Sequence, residues 1–218
     1  MRLKKRPLLN SRLYLILDKY SCPKDNIAGV ICQAAKTGGI DLVQLRENKA
    51  CGREFLKDAQ IIRRICREKG ITFIVNNRVD IARITDADGL HLGQSDLPIA
   101  AARGIFGKNK IIGVSCHNLA QALKAQSDGA DYISLGPIFL TRTKPDLKAI
   151  GIKLIKVFKQ RISIPFFVIG GIKKSNIKKV LSCGANRFAL CSGICRASDI
   201  KKAVKELRSL INEYTVNK

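Results

Sequence analysis

Tryptophan is absent from this chain of 218 residues, and aromatic residues make up only 6% of it. Proteins that hold single-stranded nucleic acids use such rings as stacking platforms, so the composition argues against that class. Acidic residues are also scarce. Against 40 Lys and Arg stand 17 Asp and Glu, for a formal net charge of +23. The cations run along the whole chain, as in Lys173-Lys174, Lys178-Lys179 and Lys201-Lys202, without regular aromatic interleaving. This reads as a solvated lysine-rich surface that draws anionic substrates, with no specific nucleic-acid partner. No apolar run approaches the roughly 20 residues of a membrane-spanning helix, so no membrane partner is expected.

The cysteines lack pairing signals. None of the eight falls in a CxxC pair, and although Cys191 and Cys195 could start a metal site, no His or second Cys pair follows. The expectation is reduced thiols in a cytoplasmic protein. Linkers and low-complexity stretches are missing as well, which indicates one domain with a large core. Met1 to Pro7 has the charge of a signal-peptide n-region, but Asn10, Ser11 and Arg12 break the apolar stretch that should follow. Residues 1–12 therefore read as a basic, frayed arm, 13–214 as the domain, and 215–218 as a tail. Oligomeric state is not written in the pattern, and a homo-oligomer stays open.

What is present is a regular alternation. Short β-branched runs at 13–17, 42–46, 72–76, 89–92, 111–114, 132–135, 166–169 and 187–190 predict eight strands. Helical periodicity fills most gaps, at 27–36, 53–69, 119–127, 152–160, 175–182 and 198–214, with shorter candidates at 79–85 and 99–106. Continuous apolar strands followed by helices indicate a parallel sheet covered by helices. A weak repeat, Gly39-Ile40-Asp41, Ala87-Asp88-Gly89, Gly129-Ala130-Asp131 and Gly184-Ala185-Asn186, precedes four strands, with the glycine suited to closing a helix and the Asp or Asn to capping the turn. Eight such units fit a single-domain (β/α)₈ TIM barrel better than an open doubly wound sheet, and the GxGxxG of a dinucleotide-binding turn is missing after the first strand.

In such a barrel the residues just past each strand form the active face. They share a chemistry: Gln44, Arg46, Asn48 and Lys49; Asn76 and Asn77; His91, Gln94 and Asp96; Ser115 and His117; Thr141, Thr143 and Lys144; Gly170 and Gly171; Cys191 and Ser192. Hydroxyls alternate with cations in Thr141-Arg142-Thr143-Lys144, which suits a phosphate-bearing ligand. Gly170-Gly171 and Ser192-Gly193 follow strands 7 and 8, where barrels often bind phosphate through open backbone N–H groups; tight turns alone would also explain them. Asp96 could help hold a hard cation or cap a helix starting near Leu97-Pro98. Arg46, with its planar fork, is the strongest candidate for gripping a diphosphate, its plainer role being an ion pair with Glu47 or Asp41. His91 and His117 receive no proton-transfer role, since no Ser/His/Asp or Cys/His arrangement accompanies them.

These motifs together resemble the thiamine phosphate synthase family, and more broadly the superfamily it shares with thiazole tautomerase. The likeness runs from about Leu13 to Tyr214. It is carried by Gln44-Leu45-Arg46-Glu47, Val75-Asn76, Gly89-Leu90-His91-Leu92-Gly93-Gln94-Ser95-Asp96, Gly113-Val114-Ser115, Gly136-Pro137-Ile138-Phe139, Thr141-Arg142-Thr143-Lys144 and Ile169-Gly170-Gly171-Ile172. The resemblance implies a transferase. Hydroxymethylpyrimidine diphosphate loses diphosphate with the aid of Mg²⁺, and the pyrimidine-methyl cation is captured by the ring nitrogen of a thiazole phosphate, giving thiamine phosphate. It further implies that Gln44, Arg46, Asn48 and Asn76 contact the pyrimidine diphosphate, that Ser115 and Lys144 steady the leaving diphosphate, that Thr141, Thr143, Gly171, Cys191 and Ser192 hold the thiazole phosphate, and that Asn77 and Asp96 face the metal. Two positions depart from the family's usual residues: Asn77 stands in place of Asp, and Asn48 in place of Lys. The first removes one negative charge and predicts weaker Mg²⁺ binding. A tautomerase-like enzyme or a non-catalytic paralogue that binds thiamine precursors are the alternatives, the tautomerase disfavoured by Pro137 and the Thr-x-Thr-Lys set.

Overall fold

The computed structural model describes residues 6–23, 26–47, 50–141, 143 and 146–216. Eight parallel strands close in sequence order, β1 (Leu13–Asp18), β2 (Leu42–Arg46), β3 (Thr72–Asn76), β4 (Gly89–Leu92), β5 (Ile111–Cys116), β6 (Tyr132–Leu135), β7 (Phe166–Ile169) and β8 (Phe188–Leu190). The ring shuts where β8 pairs with β1, Leu13 opposite Phe188. Helices α2 (Ile27–Ala35), α3 (Gly52–Lys69), α4 (Val79–Ile84), α5 (Ile99–Phe106), α6 (Leu119–Ser127), α7 (Lys153–Arg161) and α8 (Ile177–Leu181) each follow one of the first seven strands. After β8 come the short α9 (Ser192–Cys195) and the long α10 (Ile200–Val216). The expected (β/α)₈ barrel is thus the observed fold.

Period two explains why the strands are apolar on both faces. In β1, Leu13, Leu15 and Leu17 pack outward into the layer beneath the helices. Tyr14 and Ile16 point inward to a second cluster with Leu42, Ile74, Ile111, Tyr132 and Phe167. Helix α3 shows the matching helical logic. Phe55, Ala59, Ile62 and Cys66 recur every three or four residues and are buried, and Gly70 ends the helix in the left-handed conformation at φ 65°.

The acidic residues of the weak repeat do more than cap turns. Asp41 Oδ2 accepts from the backbone N–H groups of Arg12 (2.7 Å) and Leu13 (2.9 Å), at the start of the neighbouring strand. Asp88 Oδ2 accepts from Phe73 N at 3.0 Å, and Asp131 Oδ2 from Ile112 N at 2.9 Å. Each carboxylate also meets an arginine of an outer helix: Arg208 of α10 at 2.5 Å, Arg63 of α3 at 2.8 Å and Arg103 of α5 at 3.0 Å. Three clasps therefore tie sheet to helices at the end opposite the expected active face. Gly129 and Gly184 take positive φ as expected, but at the first repeat it is Gly38, not Gly39, that turns left-handed.

Part of the stretch expected as a frayed arm is ordered onto the barrel. Residues 6–10 form α1, whose Leu8 is 2% exposed and joins the interior cluster. Arg187 Nη2 donates to the carbonyl of Leu9 at 2.8 Å and anchors it. Burying such a leucine is worth about 1.5–3 kcal/mol, enough to order a turn that local propensity would leave loose.

Candidate active site

Following each inward column from the N-terminal to the C-terminal end shows how the sequence builds a site. Leu42 gives way to Gln44 and Arg46, Ile74 to Asn76, Ile111 to Ser115, Tyr132 to Ser134, and Ala189 to Cys191. Side chains two apart share a face, so columns that turn polar toward their C-terminal ends put polarity at one end of the barrel. A cavity with about 880 Å³ of empty space, including its mouth, opens there. Its deep part reaches Tyr14, Ile16 and Gln44, and it continues into a shallower polar part at Asn77, Gly93 to Asp96 and Asp146.

The structure brings together the expected residues that it describes. Gln44, Arg46, Asn76, Ser115, Thr141, Thr143, Gly171, Cys191 and Ser192 all line the deep part. Asn77 and Asp96 line the shallow part. Asn48 and Lys144 lie outside the described residues.

Arg46 pairs with neither Glu47 nor Asp41. Its Nη1 donates to Asp18 Oδ2, because parallel pairing sets Asp18 and Arg46 side by side at the ends of β1 and β2. Asp18 is buried, and its other oxygen accepts from Tyr20 N at 3.1 Å. Held this way, the guanidinium keeps further donors toward the cavity it lines.

Gly170 and Gly171 have φ of 100° and 63°. A Cβ on Gly171 would fall 2.6 Å from the Leu140 carbonyl oxygen, so position and conformation both require glycine. Asn176 Nδ2 donates to the Gly171 carbonyl at 2.9 Å, and Phe139 N donates to the Gly170 carbonyl at 3.0 Å. These bonds fix the turn that lines the cavity with Thr141 and Thr143. Cys191 follows β8 and Ser192 opens α9. Proximity to Cys195 holds the Cys191 thiol below its ordinary range, while the Cys195 thiol, which donates to the Ile16 carbonyl at 3.5 Å, is pushed up.

Asp96 does not cap the next helix, because α5 starts at Ile99 with Pro98 before it. Its Oδ2 instead accepts from Gly93 N at 2.6 Å and closes the β4 loop. Asn77 sits at φ 60°, a left-handed conformation that Asn and Asp tolerate better than most residues, and its N–H donates to the His91 carbonyl at 2.9 Å. Among the described residues no group of three or more His, Cys, Asp or Glu is placed to hold a metal. Mg²⁺ asks less of a protein: one or two carboxylates, with substrate phosphates and water completing its shell. Asp96, Asn77 with its amide oxygen, and Asp146 all line the shallow part, and hard oxygen donors of this kind fit such an ion.

Several residues at the site escaped the sequence reading. Asp18 is hidden at a strand end that reads as a turn. Tyr14, Tyr132 and Ser134 are inward and buried, and beside them lies His91, which the sequence places on the active face without a role. Burial pushes the Tyr14 and Tyr132 phenols far above the ordinary tyrosine range, so both stay neutral. The available signal was the inward alternation, which becomes informative once a closed barrel is assumed.

A closed (β/α)₈ barrel whose mouth joins an arginine, paired hydroxyls and open glycine backbone is an enzyme barrel for phosphorylated small molecules. Comparison with known proteins narrows the class. The family profile of thiamine monophosphate synthase matches residues 13–194. A thiamine-phosphate synthase of Chloroflexus aurantiacus is 42% identical over 206 residues, covering 94% of each chain. That of Clostridioides difficile is 42% identical over 203 residues, covering 89% of this chain and 92% of its own. The solved structure of thiamine phosphate pyrophosphorylase from Pyrococcus furiosus superposes with a TM-score of 0.85 at 35% identity, covering 96% of this chain and 98% of the other. The chain belongs to the thiamine monophosphate synthase family. Its activity is thiamine-phosphate synthesis, a transferase reaction.

Proposed function

We propose that the two parts of the cavity divide the work of joining hydroxymethylpyrimidine diphosphate to thiazole phosphate. Gln44 and Asn76 meet the pyrimidine in the deep part, and Arg46, Asn48, Ser115 and Lys144 meet its diphosphate. Thr141, Thr143, Gly171, Cys191 and Ser192 hold the thiazole phosphate on the opposite wall. The observation that carries this reading is convergence: all nine of these residues that are described line one cavity, although they come from six strands or the loops after them.

The chemistry follows from the groups present. Loss of diphosphate leaves negative charge on a departing oxygen and positive charge on the pyrimidine methylene. The Arg46 guanidinium opposes the first charge. Ser115 donates a hydrogen bond to the same group. Ile16, Ile169 and Leu190 give the cavity an apolar lining that keeps water from the cation. The threonines and Gly171 fix the thiazole phosphate, so that its ring nitrogen is the nucleophile within reach. Asp96 and Asn77 are the residues to hold Mg²⁺, with Asp146 beside them, and the ion when bound neutralises diphosphate charge. The eight free thiols support a cytoplasmic setting.

The test is incubation of purified protein with both substrates across a Mg²⁺ titration, scored by thiamine phosphate. Absence of product at every Mg²⁺ concentration would remove this assignment.

A further inference from the structure

Beneath the mouth, five strands contribute to one unbroken line of polar side chains. Gln44 Nε2 lies 2.6 Å from the Tyr14 hydroxyl, which lies 2.9 Å from that of Tyr132. The Tyr132 hydroxyl is 2.9 Å from His91 Nδ1, and His91 Nε2 is 3.0 Å from Ser115 Oγ. Ser134 Oγ adds a longer contact to the same ring nitrogen at 3.3 Å. Room for the line is made by Gly113, where a Cβ would fall 2.1 Å from the Tyr132 ring.

The line has a direction. An amide NH₂ only donates, so the Tyr14 oxygen accepts from Gln44. Tyr14 keeps its single proton, and the line runs on in one direction when that proton goes to Tyr132. Tyr132 in turn donates to His91 Nδ1. A ring nitrogen that accepts carries no proton, so neutral His91 is protonated on Nε2 and donates to Ser115. With its oxygen accepting from His91, the Ser115 hydroxyl keeps its own proton for the cavity that it lines.

We propose that Gln44, Tyr14, Tyr132 and His91 are positioning residues that fix Ser115 as a hydrogen-bond donor aimed at the departing diphosphate. The functional half of this rests on the placement of Ser115 proposed above. A donor oriented before the reaction needs no reorganisation as charge develops, and that is how fixed dipoles favour a transition state. The reverse polarity, with the Gln44 amide turned over, would make Ser115 donate to His91 and put the ring proton on Nδ1. The two directions therefore differ in the tautomer of a single histidine.

The second histidine provides an internal contrast. His117 Nδ1 lies 2.5 Å from the carbonyl oxygen of Gly136, which can only accept, so that ring carries a proton on Nδ1. The chain has just these two histidines, so they can be told apart. Nitrogen-15 NMR of the histidine-labelled, ligand-free protein at neutral pH, assigned with a His117→Asn variant, should show His91 with its proton on Nε2 and His117 with a proton on Nδ1. An Nδ1–H pattern for His91 overturns the proposal. In Tyr132→Phe the ring and its packing remain while the link to Nδ1 is lost. The His91 pattern should change, and kcat should fall about tenfold with KM within about twofold, the loss of one hydrogen bond that counts in the transition state. A Tyr132→Phe protein with an unchanged His91 pattern would reduce Tyr132 to packing and also overturn it. Ser115→Ala with undiminished kcat, alongside the expected His91 tautomer, would instead overturn the placement of Ser115 at the diphosphate.

Discussion

The two ends of this barrel use the same kinds of side chain to opposite effect. At the N-terminal end, Asp41, Asp88 and Asp131 each meet backbone N–H groups and an arginine, and the Asp131 side chain is 1% exposed. In each, one carboxylate oxygen is committed within the fold. At the C-terminal end Arg46 is held by Asp18 but still faces a cavity, and Thr141, Thr143 and Asn76 line open space. Their capacity is kept for a ligand. A charged residue near a strand end is therefore structural or functional according to which end it occupies, a distinction that residue type alone cannot make.

The sharpest way to break this contrast is at the buried clasp. Asp131→Ala should destabilise the fold by about 3–5 kcal/mol, because Arg103 and the Ile112 N–H lose a buried partner. Denaturant midpoints would measure it, while kcat/KM of the folded fraction should match the parent. A comparable loss of kcat/KM would show that the two ends are not independent. At the mouth the order reverses. Arg46→Lys keeps a cation beside Asp18 but loses the planar fork, so kcat/KM should fall on the order of 100-fold with a much smaller change in midpoint. A midpoint shift as large as that of Asp131→Ala would place Arg46 with the clasps. The smallest effect is expected at the polar rim. Asn77→Asp adds one carboxylate at a backbone conformation that Asp tolerates, and it should lower the Mg²⁺ concentration for half-maximal activity about three- to tenfold. Calorimetry of Mg²⁺ binding in the presence of diphosphate should move in the same direction, and an unaltered Mg²⁺ requirement would remove Asn77 from the metal side.

Much of the barrel can be read in the chain because its strands are short, apolar and regularly spaced. The ranges 42–46, 72–76, 89–92, 132–135 and 166–169 coincide with observed strands, and β1 and β5 run on by one and two residues. Helices α1 and α9 escape notice because five and four residues are too few for a helical period to register, and α1 forms where Leu8 reaches the interior. The rim residues are legible since they follow strand ends. The pairing of Asp18 with Arg46 and the line from Gln44 to Ser115 are not. Both depend on register and closure, which bring together residues 24 to 118 positions apart. Alternation says which side chains point inward, but only a closed ring says which of them meet.

Leu8 has a last consequence, for traffic. It sits with Leu42, Ile74, Ile111 and Phe167 across the lower end of the barrel, all of them buried, so the interior has a floor. Among the described residues the cavity opens at the opposite end, past the strands' C-terminal ends. A small apolar plug, remote from the chemistry, thereby closes the far side of the interior, so the polar mouth is where molecules from solvent meet the site.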